Sequence, residues 1–168
     1  VYNWVNVCGR GNRNISESIP VLFPDHFLDY CNWKGVTELN LMQSLCGGGS
    51  DSGFIGSPWN EPRVMDMVTS MRDMYKDCRQ ITGSPYVGNN CVNLCGTFYN
   101  CQNLTGDPVF SPVANNITYT YEGCIGFTNV NIPDAPANAT NFHETFKNCY
   151  MLSSNIPSNG WSHGTVWT

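Results

Sequence analysis

The chain has 168 residues, enough for one domain with a sizeable core. Charged residues make up 12%, about half the usual share of a soluble domain, and the net charge is −5 with only eight Lys and Arg. Arg72, Lys76 and Arg79 fall close together, but Asp66, Asp73 and Asp77 sit among them. That mixed-charge face excludes a phosphate-tracking stripe, so nucleic acid is not an expected partner.

No run of eighteen apolar residues exists, and membrane insertion is not expected. The polar surface must come from Asn, Ser, Thr and Gly; there are 21 Asn. Such a surface suits an extracellular, cell-surface or virion protein better than a cytosolic enzyme. The opening on Val1, without an initiator methionine or a signal-like apolar stretch, points to a processed chain or a piece of a longer one.

In chain order, VYNWVNV at the start alternates like a strand. HFLDYC at 26–31 resembles a degenerate first repeat unit. Residues 1–35 are therefore expected to form an N-terminal cap. From 36 to 157 the chain repeats. Cys78, Cys101, Cys124 and Cys149 are spaced 23, 23 and 25 residues apart. Three places before them stand Tyr75, Phe98, Tyr121 and Phe146. Seven before stand Met71, Leu94, Ile117 and Phe142, and ten before stand Val68, Cys91, Ala114 and Ala139. Three after come Ile81, Leu104, Phe127 and Leu152, each followed by Thr or Ser.

A fifth copy lies upstream, where Val36, Leu39, Met42 and Cys46 fit the pattern although Gln43 replaces the aromatic residue. A glycine-rich insertion near 47–53 separates it from FIGSP at 54–58 and is expected in an exposed loop. It lacks the Lys-Ser/Thr ending of a phosphate-binding loop. WSHGTVWT, within residues 158–168, reads as a C-terminal cap in which Trp161 and Trp167 cover the open edge of the last unit.

Columns ten, seven and three places before the cysteine, and the cysteine itself, share one face of a helix about three turns long. The aliphatic residue after it, followed by Thr and then Gly, Ser, Asn or Asp, suggests a short strand or extended turn. One unit cannot bury such a stripe alone; stacked neighbours can. The expected fold class is an α/β repeat solenoid of short strands and helical segments with terminal caps.

VTSMRDMYKDCRQIT at 68–82, FYNCQNLT at 98–105 and TFKNCYMLS at 145–153 resemble the BspA-like (DUF285-type) leucine-rich repeats, whose pattern is V-T-x-M-x-x-M-F-x-x-C-x-x-L-T. The resemblance covers about residues 36–157. It implies a right-handed leucine-rich-repeat stack with strands on one side and helical segments on the other. It also implies a role in adhesion or protein recognition rather than catalysis, on bacterial or protist surfaces or in phage-encoded proteins. The sequence departs from the pattern after the cysteine: LTGDP and ITGSP put Gly and Pro where a regular strand carries aliphatic residues, and only FTNVNI at 127–132 keeps the usual spacing.

Nine cysteines cannot all pair internally. Cys46, Cys78, Cys101, Cys124 and Cys149 share one column among core positions and are expected to form a structural ladder of buried thiols. Disulfides between successive units need Cα atoms within about 7 Å, and helical segments would lie farther apart. Cys91 belongs to a core column, Cys95 to a flank, and a Cys8–Cys31 bridge across the cap stays open. Cys91, Cys95 and Cys101 lack zinc spacing, and His26, His143 and His163 are distant from them in sequence; no metal or cofactor is expected. His143 reads as a surface histidine, and no thiol nucleophile or carboxylate pair stands out, so no catalytic residue is assigned. The sequons at Asn14, Asn103, Asn116 and Asn138 arise freely in an Asn-rich repeat.

One residue per copy lines up in a row along a solenoid. Eight places after the cysteine, allowing for the five-residue insertion after Cys46, stand Trp59, Tyr86, Val109 and Ile132, whose apolar uniformity marks core. With that phase, Asp107, Phe110, Asn129 and Asn131 form the exposed, candidate ligand-binding row. The expected function is non-enzymatic recognition or adhesion on a cell surface or phage particle, binding a protein or glycan through a repeat face. The alternative is a structural component of a larger assembly, such as a phage virion or tail, packed on neighbouring subunits.

Overall fold

A parallel ladder begins with three short strands, β1 (Val21–Leu22), β2 (Phe54–Gly56) and β3 (Gln80–Ile81), paired in chain order. Val21 lies opposite Phe54, Ile55 opposite Gln80, and Gly56 opposite Ile81. The computed structural model describes residues 21–22, 54–57, 68–128, 130–152 and 161. Cys8, Cys31, Cys46, the 47–53 insertion, Trp59, Asn129 and Trp167 lie outside them. The next step is the bridge Gly83–Leu104, where the Thr105 N–H donates to the Gly83 carbonyl at 3.3 Å. Pairing is brief because Gly and Pro follow the strand residue; Pro85 and Pro108 bring no N–H to a ladder.

A second ladder runs through Ser70, Asn93, Asn116 and Asn141, eight places before each ladder cysteine, again in parallel. From there to the cysteine the sequence pattern predicts helix, yet no helix occurs among the described residues. The backbone instead alternates its hydrogen bonds. The N–H groups of Leu94, Gly96, Phe98 and Asn100 donate to the carbonyls of Asn116, Thr118, Thr120 and Glu122 in the next copy, at 2.6–2.9 Å. The intervening N–H groups of Thr97, Tyr99 and Cys101 turn back to carbonyls three residues earlier in their own copy. The same alternation joins 71–77 to 93–99 and 117–123 to 141–147.

The conformational reason is a left-handed residue every fourth place. Five places before the cysteine, Asp73, Gly96, Tyr119 and Glu144 have φ of 53–61°; one place before it, Asp77, Asn100, Gly123 and Asn148 have φ of 59–74°. A helix requires φ near −63° throughout, so these residues end it before a turn closes. Amides that a helix would satisfy internally then point along the stack. Apolar spacing of three and four fits either geometry, because both bury every third or fourth side chain.

Burial follows the columns. Met71, Leu94 and Ile117, then Tyr75, Phe98, Tyr121 and Phe146, then Ile81, Leu104 and Phe127 are all at most 1% exposed. The aromatic column stacks nearly face to face, with centroids 5.6, 5.3 and 5.6 Å apart and planes within 13°. Trp161 ends this column: its ring meets Phe146 edge-on at 5.6 Å, and its Nε1 donates to the Pro133 carbonyl at 3.1 Å.

Candidate functional site

The ladder cysteines come first, because they carry the sequence's most regular chemistry. Cys78, Cys101 and Cys124 are fully buried and Cys149 nearly so, all as thiols. Cys101 Sγ lies 3.1 Å from the Tyr75 carbonyl, Cys124 Sγ 3.1 Å from that of Phe98, and Cys149 Sγ 3.1 Å from that of Tyr121. Each thiol thus donates to the preceding copy, three places before that copy's own cysteine. Burial pushes the Cys101 and Cys124 thiols well above their ordinary range and Cys149 to about 12. A thiol held protonated is a donor and a core filler, not a nucleophile.

The expected reason for unpaired thiols fails, however. Among the described residues no helices separate the copies; their backbones bond directly, at the spacing of neighbouring strands, about 4.8 Å. That spacing is compatible with a disulfide, so distance does not keep the sulfurs apart.

A second donor column escaped the sequence reading. Thr97, Thr120 and Thr145, four places before the cysteine, are fully buried. Each hydroxyl lies within 2.7–3.0 Å of two carbonyls seven places before a cysteine, one in its own copy and one in the preceding copy. Thr97 approaches Met71 and Leu94, Thr120 approaches Leu94 and Ile117, and Thr145 approaches Ile117 and Phe142. Carbonyls aimed into the core need buried donors, and Thr and Cys supply them at alternate turns. The signal was present as Thr recurring directly before the aromatic column.

The candidate ligand row divides. Asp107 and Asn131 are exposed and clamp each other: Asp107 Oδ1 accepts from the Asn131 N–H at 2.7 Å and Oδ2 from its side-chain amide at 3.0 Å. These bonds hold the Asp107 carboxyl below its ordinary range. Phe110 does not belong to an exposed row. It is half-buried, and its ring packs against Tyr121, Phe146 and Trp161 at 5.5–6.1 Å. A large ring beside the stacked column gains more from burial than from display. Tyr86 and Val109 are partly buried against the core and Ile132 is buried. Tyr121 ties the two sides together, its hydroxyl donating to the Val109 carbonyl at 2.6 Å and accepting from the Val109 N–H at 2.9 Å.

On the turn side, one cation–ring contact crosses between copies and a charged cluster forms within the copy of Cys149. Lys76 sits 5.0 Å from the Tyr99 ring centroid, and Glu144 accepts from His143 and Lys147 at 2.9 and 3.0 Å. Glu122 is nearly buried, and burial, then the neighbouring Glu144, raise its carboxyl above the usual range. Among the described residues no group of three or more His, Cys, Asp or Glu is placed to hold a metal. His143 is exposed and engaged with Glu144.

The strand side leaves a plain exposed row. Thr82, Thr105 and Thr128, each following a buried column residue, are all exposed. Backbone bonds from Thr82 to Gly56 and from Thr105 to Gly83 hold the first two in register. No protein-family profile, curated protein or solved structure matches the chain.

Proposed function

We propose that the chain is a non-enzymatic recognition module on a cell surface or particle, built as a capped solenoid related to the BspA-like repeats. It would bind a protein or glycan through the face that carries the threonine row and the Asp107–Asn131 clamp. One observation carries this reading: backbone bonds fix successive copies in register, so a side chain displayed once per copy recurs at one spacing. A rigid periodic row suits a repeating or extended ligand, because its contacts add without further ordering cost. The protonated, buried thiols and the paired His143 support recognition over catalysis.

A direct test is binding of the intact chain to an array of defined oligosaccharides and to whole bacterial cells, beside a Thr105→Trp variant. The reading expects binding to at least one of these probes and its loss in the variant. Binding to none of them counts against it.

Exposed apolar residues favour a second reading, packing on neighbouring subunits. Tyr150 is 79% exposed and Met151 59%, with Ile125 at 39% in the preceding copy. Light scattering after size-exclusion chromatography separates the two readings: a stable oligomer lost in Tyr150→Ser/Met151→Ser favours assembly, and a monomer disfavours it.

A further inference from the structure

We infer that the cysteine column is a redox-sensitive folding device: the stack closes only while these residues are thiols, and closure then shields them from oxidation. Three observations lead there. The sulfurs of Cys101, Cys124 and Cys149 each lie 3.1 Å from a carbonyl of the preceding copy. The same carbonyls also accept the N–H of that copy's own cysteine: Tyr75 from Cys78, Phe98 from Cys101, and Tyr121 from Cys124. Finally, neighbouring copies bond backbone to backbone, Phe98 to Thr120 and Tyr121 to Thr145, both at 2.9 Å. Stacked at about strand spacing, consecutive cysteines fall within the Cα separation a disulfide spans.

The same pair of residues therefore has two exclusive uses. As thiols, both donate to inward carbonyls. As a disulfide, neither has a proton to give, and buried carbonyls lose donors that hold the copies together. In the closed stack the thiols are buried, so an oxidant meets them only in the open chain. There, a small disulfide such as oxidised glutathione reacts by exchange. One cysteine thiolate attacks it, forming a mixed disulfide and releasing one glutathione. The neighbouring cysteine then attacks the mixed disulfide and releases the second. Two protein thiols become one disulfide, and the glutathione disulfide is reduced to two thiols. The stack is accordingly suited to folding in a reducing compartment, where disulfides do not persist, whatever surface it later occupies.

The test uses the full chain. Protein unfolded in guanidinium with dithiothreitol is refolded by dilution into either dithiothreitol or oxidised glutathione, and already folded protein is incubated with oxidised glutathione. Thiols and disulfides are located by peptide mapping, and folding is read from the thermal transition. The expected result is a cooperative transition with Cys78, Cys101, Cys124 and Cys149 as thiols in dithiothreitol. Oxidised glutathione should give disulfides within this set and no transition, reversed by dithiothreitol, and should leave prefolded protein unchanged. Cys101→Ser/Cys124→Ser, which keeps hydroxyl donors but cannot join those two positions, should recover part of the transition in the oxidant. The wild-type map decides the matter even where that variant fails to fold. A wild-type product refolded in the oxidant that carries a disulfide within the column and melts at or above the reduced protein overturns the inference. So does loss of folding with all four column residues still thiols.

Discussion

The Thr120 hydroxyl lies 3.0 Å from the Leu94 carbonyl of the preceding copy and 2.7 Å from the Ile117 carbonyl of its own. One buried side chain thus serves two inward carbonyls across an interface between copies. Thr120→Val keeps the branched shape and removes the donor. The expected cost is about 1 kcal/mol, since each carbonyl keeps other donors. In a chain of this size that lowers Tm by roughly 2–4 °C. Thr118→Val, on the outer side of the same turn, is the control; equal effects would remove the special standing of the buried column.

Gly123 distinguishes the turn geometry from a helix by the sign of one substitution. Its φ is +74°, and an added Cβ would lie 3.4 Å from the Asn100 backbone. Gly123→Ala is therefore expected to destabilise by about 1–2 kcal/mol, the cost of a left-handed L-residue. In a helix interior the same change would stabilise by up to about 1 kcal/mol. Chemical denaturation of the two proteins reads the difference.

Tyr121 joins the turn side to the strand side through both polar groups of Val109. Tyr121→Phe keeps the stacked ring between Phe98 and Phe146 and leaves the Val109 groups without this partner. A loss of about 1–3 kcal/mol is expected. Chemical denaturation of the two proteins reads the loss, and equal stability would contradict the account.

Two of the perturbed carboxyls, Glu122 and Asp107, act in opposite directions with pH. Glu122 has a raised folded pKa, so its ionisation opposes folding once pH exceeds its unfolded value, and this penalty fades as acid protonates it. Glu122→Gln should raise Tm at pH 7 and converge with wild type as pH falls below the ordinary carboxyl range. Asp107 has a lowered folded pKa, so its contribution is present above the ordinary value and is lost as pH falls through the folded one. Asp107→Ala should lower Tm at pH 7 and converge with wild type in acid. Thermal melts across pH 2.5–7, the range that brackets carboxyl titration, check both signs.

Among the described residues, the periodicity and nearly all of the core columns were legible, because a stack repeats its burial pattern at each turn. Val68, Met71, Tyr75, Cys78 and Ile81 are all buried, as their columns imply. The backbone path was not legible from apolar spacing alone. Its marker lay in another column, where Asp77, Asn100, Gly123 and Asn148 are the residue types that most readily take positive φ. Tyr119 and Glu144 carry no such mark, since neighbouring copies impose the conformation on them. At the candidate site, alternation placed Asp107 and Asn131 outside and also placed Phe110 there. Phe110 turns inward because the aromatic column and Trp161 offer it an apolar seat that no local pattern records.

The central claim is that copies are joined by their own backbones. Scalar couplings across hydrogen bonds in a deuterated, ¹⁵N,¹³C-labelled sample test it most directly. The Phe98 nitrogen should couple to the carbonyl carbon of Thr120, and the Tyr121 nitrogen to that of Thr145, in keeping with the 2.9 Å bonds between them. Couplings from Phe98 to Leu94 and from Tyr121 to Ile117, the helical partners four residues back, would contradict it.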